Sequence, residues 1–403
     1  MPGKDSFRSA AREPEYMHTS TATADAVETA PTAKRLPLLD VLRGVAILGT
    51  LGTNIWIFAS AGGEAGPLIG SAGATTDDSF IGGLFELLTN GKFLSMLTVL
   101  FGVGLAIQFR SSEKRGRRWP GRYHWRALFL FAEGTIHFVL VFAWDVLMGY
   151  AVTAIVVAWM LKRSQRAQNA VMWTALGLHL AFIGLITASL SAGTGTGVDQ
   201  RDLAKVEALY ATGSWWEQVQ FRLDNALAFR IEPIVTFPLL VFLFMLGVKL
   251  FRAGAFGADA AGGRIRRRLL VWGLGIGLPL NLALMAGPEQ LFFMERYVAA
   301  PVVMLGYIGM VGLIVEKMRR GIVMGAFESL GRTALSGYIL QNLLASVICY
   351  GWGLGLAARF DSNPWFVLVL WASISAILLI GSRLWLRRFS TGPAEMLQKA
   401  VLR

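Results

Sequence analysis

An apolar run near the N-terminus, Leu36 to Ser60, carries three polar side chains into a segment with the composition of a membrane span. They are Asp40, Arg43 and Asn54. About 20 apolar residues cross the hydrocarbon core of a bilayer, where a polar group needs a partner or a task. Arg43 and Asn54 return to within about 20° of one helix face, roughly 16 Å apart along the axis. One side of this predicted helix is therefore polar at two depths.

Apolar runs of this kind recur along the chain, which argues against an assembly of soluble domains. The 403 residues are 54% hydrophobic, and we expect an all-α polytopic membrane protein of about ten transmembrane helices. The predicted spans lie at about 36–60, 92–109, 124–143, 145–161, 170–190, 233–251, 269–286, 297–315, 333–350 and 364–386. Residues 1–35 have no apolar core and are predicted to be a disordered tail.

Lysine and arginine are distributed unevenly between the two sides of such a bundle. When the loops are assigned alternately to the two sides, 30 of the 38 basic residues fall on the side of the termini. By the positive-inside rule, both termini are therefore predicted to be cytoplasmic. The same asymmetry accounts for the net charge of +12 without nucleic acid as a partner.

The segment 191–232 is the longest predicted loop and divides the bundle in two. It contains Trp215, Trp216 and six acidic residues, and it is long enough to fold into a small extracytoplasmic cap. The predicted organisation is therefore a tail at 1–35, a five-helix half at 36–190, this cap, and a second five-helix half at 233–403.

The third predicted span places ionisable groups at the depth of Asn54. His137 lies near one end of this span, Glu133 and Arg126 share its helix face, and Asp145 follows in the next hairpin. A neutral imidazole can take a proton from a hydroxyl while a carboxylate fixes its tautomer. His137 is therefore a candidate general base with Asp145 or Glu133 as its partner, and Asn54 is a candidate donor to an oxyanion.

Each of these groups also has a structural explanation. His137 and Asn54 would serve equally well as hydrogen-bonding contacts between helices. Arg43 would pair with Asp40, three residues away, near the end of its helix.

Metal and nucleotide sites are not predicted. Histidine, cysteine and carboxylate side chains do not recur at metal-ligand spacing. The glycine-rich stretches GVGLA at 102–106 and GLGIG at 273–277 lie inside membrane spans. Close packing of helices explains these glycines better than a phosphate-binding loop does.

Four stretches of the chain form an ordered set: RLPLLDVLRGVAILGTLGTNIWIF, NGKFLSMLTVLFGVGLAI, EGTIHFVLVFAWDVLMGYAV and LGRTALSGYILQNLLASVICYGWGLGL. In this order they resemble the YeiB-like family of bacterial inner-membrane proteins, whose C-terminal half is a domain of unknown function. The match extends through nearly the whole chain after residue 35. The resemblance implies a multi-pass protein of the bacterial inner membrane.

YeiB-like proteins are similar in turn to the integral-membrane acyltransferases, which include enzymes of surface polysaccharides and heparan-alpha-glucosaminide N-acetyltransferase. In the polysaccharide enzymes an Arg in the first helix is followed eleven residues later by a functional His. Arg43 matches that Arg, whereas Asn54 stands at the His position, which leaves His137 as the candidate histidine. The resemblance implies transfer of an acyl group from a cytoplasmic donor, acyl-CoA, to a hydroxyl of an envelope glycan, lipid or small metabolite.

In this hypothesis Arg43, supported by Arg126 and Arg332, binds the donor phosphates. The remaining candidates for the cavity and for substrate binding are Asp40, Lys92, Glu133, Tyr338 and Gln341. A transporter is the competing class, with the same buried groups as a substrate site or proton relay. A membrane scaffold without catalysis is the third, and it predicts that the polar positions tolerate substitution.

Overall fold

The computed structural model describes residues 36–68, 79–193, 200–318 and 321–402. Throughout these ranges the regular structure is helical, with no β-strand. Leu36–Arg403 forms one compact unit. The predicted tail at 1–35 lies outside the described residues.

The helices of the first half of the chain begin with the predicted polar span. They are α1 (Pro37–Ala59), α2 (Phe80–Thr89), α3 (Lys92–Lys114), α4 (Tyr123–Leu140), α5 (Leu147–Met160), α6 (Gln165–Ser191), α7 (Gln200–Thr212), α8 (Trp215–Asp224) and α9 (Ala226–Val235). A short 3-10 helix, Gly63–Leu68, follows α1.

The second half continues directly from α9. Its helices are α10 (Phe237–Arg252), α11 (Ala260–Met285), α12 (Phe292–Met294), α13 (Ala300–Lys317), α14 (Ile322–Arg332), α15 (Ala334–Cys349), α16 (Leu356–Phe360), α17 (Pro364–Arg388) and α18 (Pro393–Val401). A π-helical segment, Glu295–Ala299, joins α12 to α13.

Six helical segments of the described chain are long and apolar enough to cross a membrane. They are Pro37–Ala59, Phe80–Lys114, Gln165–Ser191, Ala260–Met285, Glu289–Lys317 and Pro364–Arg388. A seventh is counted when α9 and α10, which are bent by 45°, form one span. The other three predicted spans correspond to α4, α5 and α15, which have 18, 14 and 16 residues. The protein is thus a multi-pass, all-helical membrane protein, and six or seven of the ten predicted spans meet this criterion.

Local sequence explains where α8 begins and why the chain bends between α9 and α10. Ser214 caps α8 in a reciprocal capping box with Glu217. The pKa of Glu217 lies below its usual value because the backbone N–H and the hydroxyl of Ser214 donate to its carboxylate. The bend between α9 and α10 lies between Pro233 and Pro238. Proline removes a helical N–H donor and clashes with the preceding turn, so a continuous straight helix is not available here.

The helices of the two predicted halves interleave. α1 packs against α14, α15 and α17, and α3 packs against α10 and α13. The contact between α3 and α10 brings the two backbones together, since a Cβ at Gly102 would lie 2.1 Å from the carbonyl oxygen of Phe244. A Cβ at Gly247 would lie 2.1 Å from that of Val99. Close helix packing therefore explains the glycine at 102, as predicted.

In its described residues, the segment 191–232 contains α7, α8 and most of α9. Arg222 of α8 makes two hydrogen bonds of 2.9 Å to Glu64, and both side chains are fully buried. Glu64 also accepts from the backbone N–H of Ala143 at 2.7 Å, and Arg222 donates to the carbonyl of Val139 at 3.0 Å. This Glu64–Arg222 clamp attaches α8 to the turn between α4 and α5.

Candidate functional site

A cavity of about 450 Å³ lies among helices of both predicted halves. Volumes of this size are typical of small-molecule sites. Most of its wall is apolar, and α6, α9, α10 and α12 supply many of the apolar side chains. The polar or charged lining residues are Thr50, Thr53, Asn54, Ser95, Thr98, Asp145, Tyr150, Glu232, Thr236, Arg296, Tyr297 and Tyr338.

Asp145 is a buried carboxylate on the cavity wall, in the turn between α4 and α5. Its Oδ2 accepts from the backbone N–H of Met148 at 3.2 Å, and its Oδ1 accepts from the hydroxyl of Tyr338 at 3.4 Å. A Cβ at Gly134 would lie 2.7 Å from Oδ2, so glycine at this position of α4 makes room for the carboxylate. Tyr338, predicted to line the cavity, does so.

The predicted pairing of Asp145 with His137 is corrected by this geometry. The carboxylate turns to the first N–H groups of α5, which have no partner within their own helix and attract acidic side chains. The hydroxyl of Tyr338 donates a hydrogen bond to the other carboxylate oxygen, Oδ1. Asp145 therefore does not hold the tautomer of His137 by a hydrogen bond.

His137 and Asn54 are joined through a residue that sequence reasoning missed. Asn342 of α15 donates from Nδ2 to Nε2 of His137 at 3.0 Å. Its Oδ1 accepts from Nδ2 of Asn54 at 3.5 Å. Asn54 lines the cavity, whereas His137 is buried behind it and stacks obliquely on Tyr338 at 5.1 Å. The two predicted groups thus lie at one level of the helix bundle, and the side-chain amide of Asn342 bridges them by hydrogen bonds.

Three buried polar groups near this chain of amides have atoms with no hydrogen-bond partner among the described residues. They are Nδ1 of His137, both carboxylate oxygens of Glu133, and both ends of the Gln341 amide. Buried polar atoms are usually paired, so such a concentration on α4 and α15 is informative. Glu133 and Gln341 do not line the cavity, and the prediction that Gln341 lines it is corrected.

The cationic residues predicted for the donor lie away from this cavity. Arg43 donates from Nη1 to Asp40 at 3.1 Å, which is the structural pairing that the sequence predicts as an alternative. Arg126 donates to Gln108 at 3.3 Å and Arg332 to the carbonyl of Ser390 at 3.0 Å. None of these three arginines lines the described cavity.

Lys92 is fully buried in an ion pair and does not line the cavity, contrary to prediction. Its Nζ lies 2.8 Å from Oε1 of Glu295 and also donates to the carbonyl of Glu86 at 3.1 Å. Glu295 accepts further hydrogen bonds from the side-chain amides of Asn90 and Asn281. A lysine at the start of α3 is therefore used for packing the helices together.

A second charged group, Arg296, does line the cavity and was not singled out from the sequence. Its guanidinium donates to Oδ1 of Asn90 at 2.5 Å and to the hydroxyl of Tyr297 at 3.1 Å. It lies 3.6 Å from Glu232, which accepts from Tyr297 and also lines the cavity. The π-helical segment supplies Glu295, Arg296 and Tyr297 in succession, and such segments are frequent at functional sites.

Comparison with known proteins agrees with the sequence motifs. Residues 250–403 match the family described as "Protein of unknown function (DUF418)". The chain is 26% identical over 391 residues to the uncharacterized protein YxaH of Bacillus subtilis (strain 168). This match covers 92% of the chain and 94% of the relative. The chain is 27% identical over 380 residues to the uncharacterized protein YeiB of Escherichia coli (strain K12), with 90% and 95% covered. No solved structure matches significantly. The predicted YeiB-like relationship is confirmed.

Proposed function

We propose that this YeiB-like chain is an integral-membrane acyltransferase of the bacterial inner membrane. In the proposed topology α4, α5 and α15 complete ten spans, and both termini are cytoplasmic. The predicted extracytoplasmic segment 191–232 shortens to 191–225, because α9 and α10 together count as one bent span. The distribution of lysine and arginine supports this arrangement. The acyl group comes from a cytoplasmic donor, acyl-CoA, and passes to a hydroxyl of an envelope glycan, lipid or small metabolite.

The observation that carries the proposal is the shared lining of one cavity by Asn54 and Asp145. An amide N–H and a carboxylate can supply what acyl transfer to a hydroxyl needs, because one stabilises the developing negative charge and the other accepts a proton. Both are oriented by neighbours, Asn54 through Asn342 and Asp145 through Tyr338. Groups held in place before the reaction contribute most to such catalysis.

Asp145 rather than His137 is the proton acceptor in this mechanism, because only Asp145 lines the cavity. The acceptor hydroxyl gives its proton to the carboxylate as its oxygen forms a bond to the thioester carbonyl carbon. Nδ2 of Asn54 donates to the oxyanion of the tetrahedral intermediate. The carbon–sulfur bond then breaks, and the leaving thiolate takes the proton back from Asp145.

His137 is a positioning residue in this scheme. The hydrogen-bond network assigns its Nε2 as the acceptor from Asn342, so the neutral ring carries its proton on Nδ1. This fixes the amide of Asn342 with Oδ1 towards Asn54. Loss of His137 frees Asn342 to rotate, and Asn54 then loses its partner.

The proposal is tested with acyl-CoA labelled in the acyl group and inverted membrane vesicles that contain the protein. We expect label in a lipid or glycan fraction, and a fall of about 10²–10³-fold with Asn54→Ala, as for loss of one oxyanion donor. Asn169→Ala, which changes an exposed amide bonded only to Gln165 among the contacts described, is the matched control. Normal labelling by Asn54→Ala, or no label with well-expressed wild type, would contradict acyl transfer.

A transporter remains the second candidate because a broken helix lines the cavity. Glu232, Pro233 and Thr236 lie at the bend between α9 and α10, and transporters commonly bind substrates at interrupted helices. The same vesicles distinguish the two functions. Uptake of a solute without any acylated product favours transport.

A further inference from the structure

We propose that the cavity binds an amphiphile with an anionic head group, which enters sideways from the membrane at α9. This inference builds on the proposed function, since the amphiphile would be the acyl acceptor. It names the substrate class by its chemistry: one or two alkyl chains for the apolar wall and a phosphate or carboxylate for Arg296.

The entrance is indicated by one face of α9. Leu227, Ile231 and Ile234 recur at helical spacing and are 75%, 57% and 62% exposed. An exposed apolar stripe on a helix of a membrane protein contacts lipid chains. Ile231 belongs to this stripe and also lines the cavity. Ala228, one helical turn before Glu232, lines the cavity as well. The cavity therefore opens at α9 towards hydrocarbon.

The apolar wall suits alkyl chains better than a sugar or another polar metabolite. Leu239, Leu240 and Leu243 of α10 line it from one side, and Ile183 and Ile186 of α6 from another. A polar metabolite would leave its hydroxyl groups facing these side chains without hydrogen-bond partners. Alkyl chains gain free energy from the same surface.

Arg296 is the group that selects an anionic head group. Its guanidinium lies on the cavity wall with 16% of the side chain exposed. Asn90, Tyr297 and Glu232 hold it there, and the planar fork of five N–H donors leaves further donors for an oxyanion. Glu232, at 3.6 Å, is the internal counter-ion that an entering anion displaces.

Bromine quenching of tryptophan fluorescence measures this binding without any acyl donor. Trp144 lines the cavity, and its contribution is the difference between wild type and Trp144→Phe. Full-length protein is placed in nanodiscs of phosphatidylcholine, with dibromo-phosphatidylglycerol or dibromo-phosphatidylcholine added at equal mole fraction. We expect half-maximal quenching of Trp144 at about tenfold less of the anionic lipid, as for one charge-assisted hydrogen bond.

Two substitutions predict opposite shifts in this preference. Arg296→Gln removes the cation and abolishes the preference for phosphatidylglycerol, whereas Glu232→Gln removes the competing anion and increases it. Equal quenching by the two lipids in wild type, or a weaker preference in Glu232→Gln, overturns the proposal. Release of the quenching by inorganic phosphate also overturns it, because the site would then hold a free anion.

The entrance is tested separately, which keeps the proposal falsifiable if Arg296→Gln does not fold. Ala228→Phe narrows the opening and lowers quenching of Trp144 by both lipids. Leu227→Phe, on the lipid-facing side of the same turn, is the matched control and leaves it unchanged. Identical behaviour of the two variants excludes entry at α9.

The two proposals fail in distinguishable ways. A missing lipid preference with normal acyl transfer from labelled acyl-CoA refutes the amphiphile alone. An intact preference without any acylated product refutes the acyltransferase alone.

Discussion

The Glu64–Arg222 clamp and the α4–α15 contact around His137 differ in how fully their buried polar atoms are hydrogen-bonded. In the clamp, Glu64 and Arg222 pair with each other and with backbone groups at 2.7–3.0 Å. Around His137, buried polar atoms of three side chains have no partner among the residues that the structure describes. A fully satisfied network fixes a structure, whereas an unpaired polar atom contributes nothing to it. The comparison therefore separates polar groups that stabilise the fold from polar groups that do not.

The largest expected effect is the loss of the clamp. Arg222→Ala leaves the Glu64 carboxylate buried without a cation, which costs about 3–5 kcal/mol. We expect a large fall in the midpoint of thermal unfolding in detergent and poor expression. Lys205→Ala, in the exposed pair with Asp202, is the control and changes stability by less than about 1 kcal/mol. Equal effects of the two substitutions would remove the distinction between clamp and surface pair.

Asp145→Asn sharpens the comparison from the side of the cavity. The amide keeps the shape of the side chain but cannot accept the proton of an acceptor hydroxyl. We expect acyl transfer to fall by about 10²–10⁴-fold, the usual contribution of a general base, with the thermal midpoint nearly unchanged. Activity and midpoint measured on one preparation check this. A collapse of stability with proportionate loss of activity would place Asp145 with the clamp.

His137→Ala removes the acceptor that orients Asn342. We expect kcat to fall about tenfold, the equivalent of one hydrogen bond, with KM unchanged. His137→Gln offers an amide oxygen in place of Nε2 and should restore much of the rate. If His137 were itself the base, glutamine would not rescue activity, so steady-state kinetics of the two variants decides its role.

The smallest effects are expected for the groups without partners. Glu133→Gln and Gln341→Leu remove a carboxyl group and a side-chain amide whose buried atoms make no hydrogen bond among the described residues. Because no partner is orphaned, stability should stay the same or rise by about 1 kcal/mol. Thermal unfolding of the two variants measures this. A fall of several degrees would show that these atoms have partners, and the comparison with the clamp would break.

Much of the fold follows from hydropathy, because a bilayer demands long apolar helices and the regular structure of the described chain is helical. The common depth of Asn54 and His137 also follows from counting residues along two helices. Asn342 could not be found this way, since periodicity does not tell which face of α15 turns to α4. Its type, an amide inside an apolar helix, was the available signal.

Arg296 was missed, and the role of Lys92 was predicted wrongly, for a different reason. The positive-inside rule treats an arginine on the sparsely charged side as an exception and says nothing about its partner. Lys92 pairs with Glu295, which lies 203 residues further along the chain, and no local pattern encodes a contact at that distance. The π-helical segment also shifts the register of Glu295, Arg296 and Tyr297 relative to an α-helix, so helical periodicity misassigns their faces.

The backbone contact between α3 and α10 has a consequence for motion. Gly102 and Gly247 lock two helices from opposite parts of the chain so closely that neither has room for a methyl group. A transporter in which one half of the helix bundle moves past the other would have to slide or separate such a helix–helix contact in every transport cycle. We therefore expect rearrangement in this protein to be confined to shorter pieces, with the bend between α9 and α10 near Pro233 as the hinge.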